Sequence, residues 1–161
     1  MISKLRIVRE VTGLNYWNLD HTRDWTGIVY HHFATPDGER RDARSVQRYH
    51  IEENGWSDIG YHFVVERYKG AYVIIEARPL IRIGAHTKGY MNRVAIGVAL
   101  AGNFDKGYPD IGQIILARKL TLTLRARFKI PVPKIRTHSE FSEKSCPGNF
   151  LPPEIIRLFF A

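Results

Sequence analysis

The single cysteine of the chain, Cys146, follows His138 by eight positions in the stretch Thr137-His138-Ser139-Glu140-Phe141-Ser142-Glu143-Lys144-Ser145-Cys146-Pro147. An imidazole and a thiolate are both good ligands for zinc. Eight residues span roughly 12 Å along a helix and roughly 26 Å along a strand. The two side chains therefore share one ion only if the segment folds back as a loop. Ser139, Ser142, Ser145 and Pro147 give it loop chemistry. The strongest candidate for a third ligand is His31, in the apolar, β-branched run Gly27-Ile28-Val29-Tyr30-His31-His32-Phe33-Ala34-Thr35, which reads as a buried strand. His32 is its rival, because successive strand residues face opposite sides of a sheet. Two imidazoles and a thiolate leave one position open, as in catalytic rather than closed structural zinc sites.

Ligands this far apart in sequence need a scaffold to bring them together. After the His31 strand, Pro36-Asp37-Gly38 marks a turn. Residues 42–54 carry Ala43, Val46, Tyr49 and His50 at helical spacing, with His50 on the packing face and Gly55 as a left-handed stop. Two strands, 61–67 and 72–76, flank Tyr68-Lys69-Gly70 as a hairpin, and 94–101 is a further apolar strand. Pro109 and Asp110 open a long helix whose Ile111, Ile114, Ile115, Leu120, Leu122, Leu124 and Phe128 make it apolar over much of its circumference, which predicts substantial burial. Residues 135–138 form a short strand that delivers the chain to the His138–Cys146 loop, and Pro152-Pro153-Glu154 starts a last helix. Residues 1–26 lack a clear period and predict an irregular amino-terminal arm packed on a domain spanning 27–161. Strands interleaved with helices predict a single α/β domain, with a central mixed β-sheet flanked by helices on both faces.

Composition narrows the function classes. A chain of 161 residues with 44% hydrophobic content can bury one core without staples. One cysteine allows no intrachain disulfide, in keeping with a reducing compartment. The first ten residues hold no apolar run of signal-peptide length, and no run of transmembrane length occurs, so neither an export signal nor a membrane span is expected. The formal charge of +8, from 24 Lys+Arg against 16 Asp+Glu, favours polyanions. Nucleic acid is the generic partner of such a balance. The basic residues are scattered, however, and no nucleic-acid motif is present, so none is expected. Electrostatic contact with an anionic cell wall or outer membrane fits the same charge.

Four blocks in order, Ile28 to Thr35, Gly55-Trp56-Ser57-Asp58-Ile59-Gly60-Tyr61-His62-Phe63, Gly84-Ala85-His86-Thr87-Lys88-Gly89-Tyr90 and His138 to Pro147, resemble the zinc-dependent N-acetylmuramoyl-L-alanine amidases. Phage amidase lysozymes and animal peptidoglycan-recognition proteins share that family. The resemblance implies one Zn2+ held by His31, His138 and Cys146. It implies Tyr61 as the residue that orients the nucleophile or relays a proton, and Lys144 as the group that stabilises the oxyanion. It implies His86 as a contact to the peptide stem, and Trp56 and His62 as structural supports. His21 matches nothing in the family pattern and reads as exposed. The third block departs from that pattern, with Met91 where an asparagine is usual and Asn92 one position later, and Ala95 stands near the place of a later serine.

The function expected from this resemblance is hydrolysis of the amide between N-acetylmuramic acid and L-alanine in peptidoglycan. An endolysin held in the host cytoplasm until lysis, and then acting on the wall, is the form that fits. The animal relatives typically carry disulfides, which leans the likeness toward phage and bacterial members. The rival is a peptidoglycan-binding module without catalysis. Such relatives often lack the cysteine, so Cys146 speaks for the enzyme.

Overall fold

Residues Gly27–His32 form a strand with no exposed position, as their unbroken apolar run requires of a strand covered on both faces. The computed structural model describes residues 1–15, 23–35 and 41–161. The strands are β1 (Arg6–Val8), β2 (Gly27–His32), β3 (Phe63–Tyr68), β4 (Ala71–Glu76), β5 (Ala95–Leu100) and β6 (Ile135–Thr137). The helices are α1 (Ala43–Glu52), α2 (Met91–Val94), α3 (Ile111–Phe128) and α4 (Pro153–Phe160). One mixed sheet of order β1-β4-β3-β5-β2-β6 results. β3, β5, β2 and β6 run parallel, β4 is antiparallel to β3, and β1 is antiparallel to β4.

The alternation of side chains along each strand divides the core in two. Ile28, Tyr30, Phe63, Val65, Ile96, Val98 and Leu100 pack against Leu116, Leu120 and Leu124 of α3 and Ile156 and Phe160 of α4. On the opposite face Val64, Val73, Ile75 and Ala99 meet Ala43 of α1 and Ile59. Helices thus cover both faces, as the interleaved pattern predicts. The buried Tyr30 hydroxyl is satisfied by the Ala117 carbonyl at 3.2 Å and by Thr121, and its ring stacks on Phe160.

Local chemistry sets the connections. Asp42 caps α1 by accepting from the Ser45 N–H at 2.8 Å, and Gly55 beyond the helix has φ +66. Lys69 and Gly70 both have positive φ between the paired Tyr68 and Ala71, the two-residue hairpin geometry.

Two expectations are corrected, and one element is new. The amino-terminal arm is not wholly irregular, since β1 joins the sheet edge and Val8, Leu14 and Trp25 lie in the core. α3 is apolar over much of its circumference but less buried than that predicts. Ile111, Ile115 and Leu122 are 72%, 50% and 41% exposed, because only the Leu116-Leu120-Leu124 side and its neighbours meet the sheet. The short α2, which precedes β5, has too few residues to show a helical period. The Pro36-Asp37-Gly38 turn, His21, and Tyr16, Trp17 and Leu19 of the arm lie outside the described residues.

Candidate metal centre

β6 pairs with β2 so that Thr137 lies opposite Tyr30, and one further residue along both strands brings His138 beside His31. Their rings stand 4.8 Å apart on the α1 face of the sheet. In β5 the residue beside His31 is Ala99, whose small side chain leaves that face open. His32 points to the other face, where its Nδ1 accepts from the Phe104 N–H at 3.2 Å. The parity of β2 thus separates the doublet, with His31 alone facing His138.

Cys146 arrives from the loop that follows β6. The Ser139 N–H donates to the Cys146 carbonyl at 2.7 Å and folds the segment back on itself. Glu140 anchors the start of the loop, accepting from the Thr137 N–H at 2.7 Å, from Arg136 at 2.6 Å and from Arg157 of α4 at 2.8 Å. Asp105 anchors its end, accepting from the Ser145 hydroxyl and the Asn149 N–H, each at 2.9 Å. Gly148, at φ +123, lies so near the Phe104 carbonyl that an added Cβ would sit 2.3 Å from its carbon, so only glycine permits this approach. The outcome is a trio: ligand atoms of His31, His138 and Cys146 all lie within 4.8 Å of one another, and Cys146 Sγ is 3.6 Å from His31 Nδ1.

Burial controls the protonation of the trio. His31, 1% exposed, is held well below the ordinary imidazole range first by desolvation and then by the neighbouring His86 and His138. His138 is lowered by desolvation and next by the charge of Lys144. Both rings are therefore neutral at neutral pH. Desolvation pushes the Cys146 thiol up to about 12, against the lowering effects of the His32 backbone and the Lys144 charge. Without a cation the sulfur keeps its proton, and a metal must displace it.

Tyr61 precedes β3 and is half-buried, with its ring 5.1 Å from that of His31. Desolvation, then the Cys146 charge, raises its hydroxyl above the ordinary phenol range, so it remains a hydrogen-bond donor. Its carbonyl accepts from the Arg78 N–H at 3.0 Å, and the Arg78 guanidinium holds the Ile59 carbonyl at 2.7 Å, which fixes the backbone on either side of Gly60. Behind it, His50 lies 5.6 Å from Tyr61 and 4.6 Å from Trp56, and its Nδ1 accepts from the Gly60 N–H. Lys144 is exposed on the loop, and its charge acts on both His138 and Cys146.

His86 departs from its expected place at a substrate groove. It is 5% exposed, with Nδ1 3.0 Å from His31 Nε2 and Nε2 3.1 Å from the Ala95 carbonyl, so neither ring nitrogen is left for a peptide stem. Asn92 organises its loop by accepting from the His86 and Thr87 N–H groups, each at 2.8 Å, and donating to the Thr87 carbonyl at 2.9 Å. Asp105 and Glu140 carry no signal in the sequence, because each acts through contacts that only the fold creates, whereas Asn92 stands one position after the asparagine usual in the family pattern.

The buried imidazoles predict acid lability. Desolvation lowers His50 and His62 to about 4 and His86 to about 3. Between those values and the ordinary 6.5, the unfolded chain is protonated at these rings and the folded chain is not. Stability is therefore complete above pH 6.5 and falls as pH drops toward 4. Calorimetry near pH 5 should find these three rings taking up close to three protons on unfolding, whereas uptake below one would contradict their burial as neutral groups.

Fold and site together define a class: a mixed α/β domain that brings two histidines and a cysteine together beside the carboxyl ends of parallel strands. The N-acetylmuramoyl-L-alanine amidase family model matches residues 21–149. The endolysin of Escherichia phage T7 is 35% identical over 126 residues, covering 75% of this chain and 79% of that protein. The solved N-acetylmuramoyl-L-alanine amidase LysC from Clostridium intestinale superposes with TM-score 0.72 at 30% identity, covering 86% of each chain. The ectodomain complex of peptidoglycan recognition proteins LCa and LCx, solved with tracheal cytotoxin bound, gives TM-score 0.69 at 26% identity over 96% of this chain and 86% of that one. The chain belongs to the N-acetylmuramoyl-L-alanine amidase family. It is a peptidoglycan hydrolase with amidase activity.

Proposed function

We propose that His31, His138 and Cys146 hold one zinc ion, and that the enzyme uses it to cleave the amide between the lactyl group of N-acetylmuramic acid and L-alanine. The convergence of these three side chains from β2, the end of β6 and the following loop carries the reading. The donor set fits zinc. Zn–N bonds of about 2.0 Å and Zn–S bonds of about 2.3 Å at a tetrahedral angle separate nitrogen from sulfur by about 3.5 Å, and His31 Nδ1 stands 3.6 Å from Cys146 Sγ. When bound, zinc supplies a Lewis acid and lowers the pKa of water toward 7.

The other groups act on the two charges that develop. Water oxygen attacks the carbonyl carbon, the C–N bond breaks, and a proton must reach the departing L-alanine nitrogen. The neutral Tyr61 hydroxyl orients the attacking water and relays that proton. The Lys144 ammonium faces the tetrahedral oxyanion, where a fixed positive charge lowers the barrier most. Neither role belongs to a ligand, so each is separable from metal binding.

Among the described residues no helix is long and apolar enough to cross a membrane. An enzyme retained in the host cytoplasm until lysis, and then drawn to an anionic wall or outer membrane by its +8 charge, accords with that and with the endolysin relatives.

The bond is tested by digesting intact sacculi and analysing the products by mass spectrometry. Free stem peptides beginning with L-alanine should appear while glycan strands stay uncut. Glycoside hydrolysis usually uses a pair of carboxyl groups, whereas this site is built from His, Cys, Tyr and Lys. New reducing ends would make the enzyme a glycosidase, and cuts within the stem would make it an endopeptidase.

A further inference from the structure

We infer that His86 is a positioning residue for His31: it fixes which nitrogen of that ring carries the proton and so which nitrogen is free for a metal. The inference rests on the zinc site proposed above, but its geometry is independent of any ion. The Ala95 carbonyl can only accept, so the 3.1 Å contact requires a proton on His86 Nε2. In the neutral ring Nδ1 is then a lone pair, and the 3.0 Å contact requires a proton on His31 Nε2. That leaves the lone pair of neutral His31 on Nδ1, the atom 3.6 Å from Cys146 Sγ. One backbone carbonyl at the start of β5 thus dictates, through two rings, the coordinating atom of a residue on the neighbouring strand.

The fold makes room for this relay. A Cβ on Gly97 or on Gly84 would lie 2.4 Å from His86 Cδ2, so glycine at both positions admits the ring between loop and sheet. The Gly97 N–H donates to His62 Nδ1 at 3.0 Å, and His62 Nε2 donates to the Arg82 carbonyl at 3.0 Å. His62 therefore braces the same backbone without competing for His31. The two His86 contacts and the Asn92 bonds to its loop hold the ring from three sides. Ligating histidines generally donate their second ring N–H to an acceptor that orients them, and loss of that acceptor typically weakens metal binding by about 10–100-fold.

Two measurements test the relay, and neither depends on turnover. In metal-free protein, long-range 1H–15N correlation spectra should show His31 and His86 both protonated on Nε2. A proton on His31 Nδ1 would overturn the inference. Chelator competition should then show zinc bound about 10–100-fold more weakly by His86→Leu. His86→Asn, whose side-chain oxygen can take the place of Nδ1, should recover most of the affinity. His86→Gln, which reaches only the Nε2 position, should not. A ring that merely filled space would leave Asn and Gln equivalent, and that equivalence, or wild-type affinity in His86→Leu, would overturn the inference. Failure of the unaltered protein to bind zinc would instead defeat the proposed metal site while leaving the spectra to judge the relay.

Discussion

Cys146→Ser is expected to abolish both zinc retention and peptidoglycan hydrolysis while leaving the fold in place. The thiol has no structural partner that serine could not replace, since the loop is held by the Cys146 carbonyl, Glu140, Asp105 and Gly148 rather than by sulfur. What serine lacks is an accessible anion: a hydroxyl does not ionise at neutral pH, whereas a thiol gives up its proton to zinc. The drop in turnover should exceed about 10³-fold, the upper range for losing a single oxyanion donor. His31→Ala and His138→Ala should behave alike. His32→Ala should keep the metal and lose stability instead, on the order of 1–3 kcal/mol, because the buried Phe104 N–H that its Nδ1 receives is left unpaired. Elemental analysis and circular dichroism of the four purified variants decide this. Full zinc in Cys146→Ser, or loss of zinc confined to His32→Ala, would refute the ligand set.

Tyr61→Phe and Lys144→Ala should each lower kcat by about 10²-fold or more with one zinc still bound. Phe keeps the ring 5.1 Å from His31 and removes only the hydroxyl, which burial and the Cys146 charge maintain as a neutral donor. Lys144 is exposed and reaches the centre through its charge, which acts on His138 and Cys146 alike. Lys144→Arg should consequently recover part of the rate that Lys144→Ala loses, because a cation is restored at nearly the same place. Single-turnover rates on intact sacculi, paired with metal content, separate the two steps. A near-normal kcat in Lys144→Ala would return that lysine to the solvated surface.

Much of this architecture can be read from local pattern. Asp42, Gly55 and the Lys69-Gly70 pair act within a few residues of themselves, so cap, stop and hairpin are legible without a fold. The unbroken apolar runs of β2 and β5 announce strands covered on both faces. The buried side of α3 is not set by its pattern, because its isoleucines and leucines occur on every side, and only packing against the sheet selects the Leu116-Leu120-Leu124 face. β1 is not legible in the sequence, because three residues set no period and its pairing with β4 spans about seventy positions of chain.

The ligand types and the need for a loop between His138 and Cys146 were determined by the sequence alone, since donor chemistry and the reach of the backbone are local properties. So was the exclusivity of the His31-His32 doublet, which follows from strand alternation. Which of the two faces the centre was decided by tertiary structure, through the Tyr30 to Thr137 register that carries His138 to His31. The place of His86 was decided there as well. Its spacing within the Gly84-Tyr90 loop is compatible with a groove or with the interior. Only the closeness of Gly97, the Ala95 carbonyl and His31, residues set side by side by sheet pairing, turns the ring inward. Hydrogen bonds between distant segments depend on ångström-scale placement by the whole core, and no spacing within one segment encodes that.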